Sequence, residues 1–214
     1  GGVAHRFLDH SQPSLEAQLC NLADEIAYNA HDIDDGVRSG LLTLEQLQAV
    51  DLFESHRAEV LREYPDLAGR RVLYETIRRM LSAQVYDVIA ATQEAIHAAS
   101  PRSANEARRM GPLVQFSEAM RGQSAVLKRF LLANLYRHPQ VMHTTGQAKH
   151  MVRELFHAYR SDPRQMPAKF ADRALRADAD PAAMARAVAD YIAGMTDRFA
   201  AREHERLTGR RLLA

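Results

Sequence analysis

Residues 15–37 read LEAQLCNLADEIAYNAHDIDDGV, and this amphipathic stretch decides the fold. Its apolar side chains recur every three or four residues, the period of a helix face that packs on a core; they are Leu15, Leu19, Leu22, Ile26, Ala30, Ile33 and Val37. Ser14 precedes the stretch and can cap a helix with its hydroxyl. The sequence therefore predicts a long amphipathic helix that ends near residues 36–40.

Helical periodicity dominates the rest of the chain, and no stretch shows the sustained apolar and polar alternation of a strand. Further helices are predicted over residues 44–62, 70–99, 117–137, 140–159, 167–175 and 181–207. Residues 100–116 read as a long connection with one turn of helix. We expect an all-α fold in which residues 1–214 form one helical unit, with any weak boundary near residues 100–112.

Composition narrows the class of protein. The 214 residues are 46% hydrophobic, which is enough for a globular core. The formal net charge of +1 gives no general attraction to nucleic acid or to an anionic membrane, so any polyanion site has to be local. Cys20 is the single cysteine, and no apolar run reaches the length of a membrane span. We expect a cytoplasmic protein with no membrane partner.

The start at Gly1 without methionine suggests a piece of a longer polypeptide.

A carboxylate, a phenol and a second carboxylate recur every fourth residue on the first predicted helix, at Asp24, Tyr28 and Asp32. Four residues are slightly more than one turn, so the three side chains share a face opposite the apolar stripe. One interpretation is an ordinary solvated polar face. The other is the wall of a cleft, in which carboxylates bind a cation or sugar hydroxyls and the tyrosine ring packs on the sugar. The spacing of these three residues does not decide between a solvated face and the wall of a cleft.

Other catalytic signatures are weak in this sequence. It has ten histidines but no His-x-x-x-His pair and no cysteine partners for a zinc site. It also lacks the serine-hydrolase elbow and the phosphate-binding glycine loop that ends in lysine. His31 and Asp32 are adjacent, but neighbours on a helix point about 100° apart, so this pair needs ligands from other helices to hold a metal.

Several blocks together resemble one known family. They are residues 13–18 (PSLEAQ), 23–28 (ADEIAY), 31–36 (HDIDDG), 38–41 (RSGL) and 190–199 (DYIAGMTDRF). In these blocks the chain is similar to the C-terminal part of bacterial deoxyguanosinetriphosphate triphosphohydrolase-like proteins, of the HD superfamily. The blocks bracket nearly the whole chain. The resemblance implies an all-α HD-type fold and hydrolysis of a deoxynucleoside triphosphate, with dGTP favoured, to the deoxynucleoside and tripolyphosphate.

The resemblance also implies roles for particular residues. Asp24 corresponds to the last metal ligand of the family, which follows a histidine and a His-Asp pair, and the metal would be Mg²⁺ or Mn²⁺. Tyr28 would pack on the deoxyribose and Asp32 would accept a hydrogen bond from its 3′-hydroxyl. Tyr191 resembles a second tyrosine that packs on the sugar. The catalytic residues would lie in the N-terminal half of such a protein.

One departure from the family is large. Only 23 residues precede Asp24, and His5 and His10 lack the context of the family's metal ligands, so the chain has one expected ligand of four. We therefore expect the chain alone to be inactive, and to need the N-terminal half that carries the HD motif. A homo-oligomer is also expected. The alternative is a non-catalytic helical module for interaction or oligomerisation, and binding of nucleic acid stays open.

Overall fold

A computed structural model of the chain describes Leu8, residues 11–176 and residues 180–212. These residues form helices and connections without any strand, which confirms the all-α fold class. The ten α-helices are α1 (Leu15–Arg38), α2 (Leu44–Leu47), α3 (Asp51–Glu63), α4 (Arg70–Ala99), α5 (Ala104–Ala107), α6 (Glu118–Leu131), α7 (Pro139–Ser161), α8 (Ala168–Arg176), α9 (Pro181–Ala193) and α10 (Asp197–Thr208). A π-helix over Leu132–Tyr136 extends α6, and a short 3₁₀-helix spans Pro163–Gln165.

Two of the predicted helices are each divided in the structure. The helix predicted over 44–62 is interrupted after α2, where Val50 turns into the core and is only 1% exposed. The helix predicted over 181–207 ends at Ala193, and Thr196 starts α10 because its hydroxyl accepts a hydrogen bond from the Phe199 amide at 3.3 Å. Amphipathic periodicity continued through both breaks, so the breaks were missed.

The chain consists of two compact units. The first extends to His138 and the second begins at Pro139. The sequence suggested one unit with any weak boundary near residues 100–112, and those residues lie inside the first unit. Among the described residues, none of the helices combines the length and the hydrophobicity that a membrane span requires.

The core of the first unit forms where α1, α3, α4 and α6 pack together. Its largest fully buried side chains include Phe53, Ile33, Met80 and Leu127. A smaller cluster joins α1 to α4 through Ile26 and Val88, next to Phe116. The apolar stripe read from residues 15–37 is therefore the side of α1 that packs inward, while Leu19 at its start stays half exposed.

Gly36 is the point of closest approach on α1. A Cβ atom at this position would lie 2.6 Å from Leu42 Cδ1 and 3.4 Å from Leu135 Cδ1. Leu42 belongs to the loop after α1, and Leu135 belongs to the π-helix. The missing side chain therefore lets both leucines pack directly on the helix backbone.

The second unit has its own core of α7, α8, α9 and α10, with Tyr159 fully buried. Polar contacts join α10 to α7 across it. The buried His204 ring has Glu154 Oε2 at 2.7 Å from Nε2 and the Arg210 carbonyl oxygen at 3.0 Å from Nδ1. The Tyr159 hydroxyl donates to Glu203 Oε2 at 2.6 Å. The buried side chains of His204 and Tyr159 thus each have a hydrogen-bond partner, as most buried polar groups do.

Gly36→Ala is expected to destabilise the first unit, and Gly122→Ala is its matched control. Both glycines lie in helices, and a Cβ at Gly122 would meet no atom within 4 Å. Because both variants gain the same helix propensity, their difference measures the overpacking at Gly36. We expect Gly36→Ala to have about 1–3 kcal/mol less free energy of unfolding than Gly122→Ala in urea titrations. Equal stability of the two variants would show that Leu42 and Leu135 can move aside without cost.

Candidate active site

The three polar residues predicted to share a face of α1 do so, but their surroundings differ. Asp24 is exposed and has no hydrogen-bond or ion-pair partner in the part of the chain that the structure describes. Tyr28 is 56% exposed. Asp32 is partly buried. The row is about 12 Å long, from eight residues at 1.5 Å each, and its buried end is at Asp32.

Tyr136 meets this buried end from the π-helix. Its hydroxyl donates a hydrogen bond to Asp32 Oδ2, across 104 residues of sequence. Tyr136 also shares a hydrogen bond with Tyr28. The π-helix matters here, because such segments widen one helical turn and recur at functional sites. Asp32, Tyr28 and Tyr136 thus form one cluster, which we call the carboxylate–tyrosine cluster.

Burial and hydrogen bonding act on the ionisation of this cluster. Burial raises the pKa of Asp32 above its usual range, and the hydrogen bond from Tyr136 partly opposes that rise. Burial also raises the pKa of the Tyr136 phenol, and its bonds to Asp32 and Tyr28 raise it further. Tyr136 therefore stays protonated and acts as a donor at neutral pH. Because the Tyr136 hydroxyl donates to Asp32 Oδ2, the other carboxylate oxygen can accept a hydrogen bond from a ligand hydroxyl.

A basic side chain contacts α1 closer to the N-terminus of that helix. Lys128 Nζ on α6 is 3.0 Å from Glu25 Oε2 on α1, and Ser124 Oγ donates to Glu25 Oε1 at 3.4 Å. Since Lys128 meets Glu25 and Tyr136 meets Asp32, α6 with its π-helix runs beside α1 in the same direction. The two pairs are about 10 Å apart along α1, at seven residues of 1.5 Å each.

A cleft opens beside Lys128. Its volume is about 670 Å³, and its lining includes the cations Arg121, Lys128 and Arg129. Arg121 donates to Gln115 Oε1 at 3.1 Å, whereas Arg129 has no ion-pair partner among the described residues. Cations therefore line a cleft at one end of the contact between α1 and α6, and the carboxylate–tyrosine cluster lies about 10 Å further along α1.

Tyr191, the other tyrosine predicted to contact substrate, belongs to the core of the second unit. It is 7% exposed, and its ring centroid lies 4.8 Å from that of Phe170 and 5.3 Å from that of Tyr159. Burial raises the pKa of its phenol. Within that unit Tyr191 packs as a core residue, and its contact with a sugar stays a prediction.

Within the described residues, Asp24 has no neighbouring side chains that would complete a metal site. The described residues contain no group of three or more histidine, cysteine, aspartate or glutamate side chains able to hold a metal ion. Asp24 is thus a single exposed carboxylate, and structural metal sites use about four ligands. His5 and His10 lie outside the described residues.

Comparison with known proteins identifies relatives of this chain. The chain is 54% identical to a deoxyguanosinetriphosphate triphosphohydrolase-like protein of Bordetella pertussis over 207 residues, which cover 97% of the chain and 52% of that relative. It is 51% identical to the protein of that name from Ralstonia nicotianae and 45% identical to that from Nitrosomonas europaea. The chain matches the C-terminal part of these deoxyguanosinetriphosphate triphosphohydrolase-like proteins.

Members of this triphosphohydrolase-like family are longer than the chain, which spans about half the length of the curated relatives it matches. The matched half is their C-terminal part. Residues 114–206 also match the model of the phosphohydrolase-associated domain. That range includes Lys128, Tyr136 and Tyr191.

Sequence reasoning placed Asp32 and Tyr28 on one helix face but did not predict that Tyr136 contacts Asp32 or that Lys128 pairs with Glu25. Both missed residues lie within a predicted helix, 117–137, that read as ordinary amphipathic structure. No local spacing connects them to α1. A tyrosine close to the helix-ending Pro139 was the one available signal, and it is a weak one.

Tyr136→Phe should raise the pKa of Asp32. The substitution removes the hydrogen bond that stabilises the carboxylate, while the burial that raises the pKa remains. Titration of the Asp32 carboxyl carbon by NMR measures this shift. Tyr86→Phe is the matched control, because Tyr86 is 71% exposed on α4 and lies outside the cluster. An unchanged or lower pKa in Tyr136→Phe would contradict the observed contact.

Proposed function

We propose that the chain forms the sugar-binding part of a phosphohydrolase that acts on deoxynucleoside triphosphates. The observation that carries this proposal is the hydrogen bond from Tyr136 to Asp32, with the half-exposed Tyr28 beside it. A charged acceptor held between two phenol rings suits a ligand that offers both a hydroxyl group and an apolar ring face. A deoxyribose has these two features. The names of the relatives support the same class of substrate.

In this proposal the free oxygen of Asp32 accepts the 3′-hydroxyl, and Tyr28 and Tyr136 pack on the sugar ring. Tyr136 keeps the Asp32 carboxylate in one orientation through its own hydrogen bond. Orienting both partners before binding lowers the entropy that binding costs. Tyr191 is proposed as a further sugar contact on the resemblance alone.

The triphosphate would extend from Asp32 along the surface where α1 meets α6, toward Lys128. Lys128 Nζ lies 3.0 Å from Glu25 Oε2. If a phosphate bound to Lys128, it would replace one anionic partner of the lysine with another. Arg121 and Arg129 line the same cleft and add positive charge. This order places the base-bearing sugar near Asp32 and the phosphates near Asp24. Charge complementarity supports this direction for the nucleotide.

Asp24 is proposed as one ligand of a divalent cation, Mg²⁺ or Mn²⁺, in the complete protein. Such a cation would polarise a phosphoryl oxygen and activate water when bound. The other ligands would come from the N-terminal half of the family's polypeptide. The part played by this chain is to bind and orient the substrate. dGTP is proposed as the favoured nucleotide, and a homo-oligomer in the cytoplasm as the working form.

The purified chain is expected to release no tripolyphosphate from dGTP with Mn²⁺ present. A chimera in which this chain replaces the matched half of the Bordetella pertussis relative should restore all the ligands and become active. Asp24→Ala should then abolish the activity of the chimera, because it removes a ligand. Metal-dependent turnover by the chain alone would overturn the proposal that it is an incomplete site. So would a folded, fully active Asp24→Ala chimera.

The 3′-hydroxyl contact can be tested in the same chimera. A hydrogen bond to a charged group is worth about 1.5–3 kcal/mol, so 2′,3′-dideoxyGTP should show kcat/KM about 10- to 150-fold below that of dGTP. In Asp32→Ala this preference for dGTP should disappear, since the acceptor is gone. Asp35→Ala, which removes a nearby carboxylate paired with Arg38, should retain it. A full preference in Asp32→Ala would exclude Asp32 as the acceptor.

A further inference from the structure

Residues 112–117 lie between α5 and α6 and form part of the lining of the cleft beside Lys128; we call them the wall segment. Those that line the cleft are Pro112, Val114, Gln115 and Phe116. The segment is neither helix nor strand, so its backbone amides need hydrogen-bond partners from elsewhere in the protein. The shape of this side of the cleft therefore depends on the side chains that supply those partners.

Gln18 on α1 binds the start of the wall segment. Its side-chain oxygen Oε1 accepts hydrogen bonds from the backbone amides of Leu113, at 3.0 Å, and Val114, at 3.2 Å. Its Nε2 donates to the Pro13 carbonyl oxygen at 3.0 Å, which orients the side-chain amide. The Gln18 side chain is buried, and burying a polar group costs free energy unless it is hydrogen-bonded. These three bonds therefore explain how a glutamine can occupy this position on α1.

Two side chains of α4 bind the rest of the wall segment. Thr92 Oγ1 accepts a hydrogen bond from the Gln115 amide at 3.2 Å. Asp87 accepts from the Ser117 amide at 2.9 Å and from the Ser117 hydroxyl at 2.6 Å. The same hydroxyl caps α6 by accepting from the Met120 amide at 3.2 Å. Asp87 thus contacts the residue at which the wall segment ends and α6 begins.

The wall segment in turn orients a cation of the cleft. Arg121 on α6 donates to the Gln115 side-chain oxygen at 3.1 Å and to the Phe116 carbonyl oxygen at 3.5 Å. Both acceptors belong to residues that line the cleft. A change in the path of the wall segment would therefore move the partners of Arg121 as well as the cleft surface.

We propose that Gln18, Thr92 and Asp87 are positioning residues, which hold the wall segment in the conformation that the cleft needs to bind phosphate groups. None of the three lines the cleft, so each acts through the wall segment. Because the segment is ordered before a ligand arrives, binding costs less conformational entropy. The phosphate part of the proposal rests on the function proposed above, whereas the hydrogen bonds that carry it do not.

Hydrogen exchange of the Leu113 and Val114 backbone amides, followed by NMR on the whole chain, tests the Gln18 contact. Gln18→Met keeps the length of the side chain but removes the acceptor, so both amides should exchange about threefold faster or more. Gln18→Glu keeps an acceptor oxygen and should retain the slow exchange of the parent chain. Gln84→Met is the matched control, since Gln84 is also buried but donates to the Met80 carbonyl oxygen of its own helix. Unchanged exchange in Gln18→Met, or equal acceleration in Gln84→Met, would overturn the proposal.

Thr92→Val gives a second test that does not depend on the folding of Gln18→Met. Thr92 is only partly buried, and valine has nearly the same shape without the hydroxyl. The Gln115 amide should exchange about threefold faster in this variant, because it loses its acceptor. The Ser117 amide should exchange as in the parent chain, since Asp87 still binds it. A Gln115 amide that exchanges at the parent rate would contradict the positioning role of Thr92.

Calorimetric titration of the whole chain with inorganic tripolyphosphate measures the consequence for the cleft. Gln18→Met should weaken binding about threefold or more, while Gln84→Met should bind like the parent chain. Parent-like affinity in a folded Gln18→Met variant would overturn the positioning role. Lys128→Ala should also weaken binding, and equal affinity in Lys128→Ala and the parent would overturn the proposed phosphate site instead. The exchange rates distinguish these two failures, because they report the contacts of Gln18 and Thr92 without any ligand.

Discussion

The packing of the π-helix beside α1 is the constraint on which the candidate site depends, and Gly36 lies in that contact. Leu42 and Leu135 both approach the space that a Cβ would fill. Leu135 precedes Tyr136 in the π-helix, and Gly36 lies one turn after Asp32 on α1. The Leu135 side chain therefore packs beside α1 one turn from the point where Tyr136 contacts the Asp32 carboxylate. The polar contact across 104 residues thus has an apolar contact next to it in both helices.

Local signals predicted most of the fold. α4 occupies the predicted range, 70–99, because its apolar period is unbroken and Pro101 follows its end. α1 ends at Arg38, within the predicted interval. The breaks before Asp51 and after Ala193 were missed for a physical reason: the residues around them keep helical spacing, and tertiary burial of Val50 and the cap at Thr196 decide where each chain segment turns.

The candidate site was predictable only where it is local. Asp24, Tyr28 and Asp32 lie on one helix, so their spacing alone places them on one face. The packing of α6 and its π-helix beside α1 brings Lys128 and Tyr136 to that face. The periodicity of residues 117–137 does not indicate which of their polar side chains will contact α1. Tyr191 is local to α9 and packs there with Phe170 and Tyr159.

The two carboxylates of the row differ in ways that suit different partners. Asp32 is partly buried and already bound to a phenol, and burial raises its pKa. A carboxylate that is partly buried and already accepts a hydrogen bond favours a neutral hydroxyl donor. A charged ligand would have to lose more of its hydration to reach it. Asp24 is exposed and unpaired among the described residues, which leaves all of its lone pairs for a cation and for ligands from elsewhere. The same residue type, repeated two turns apart on one helix, thus suits the proposed sugar contact at Asp32 and the proposed metal contact at Asp24, because only Asp32 is bonded to Tyr136 of the π-helix.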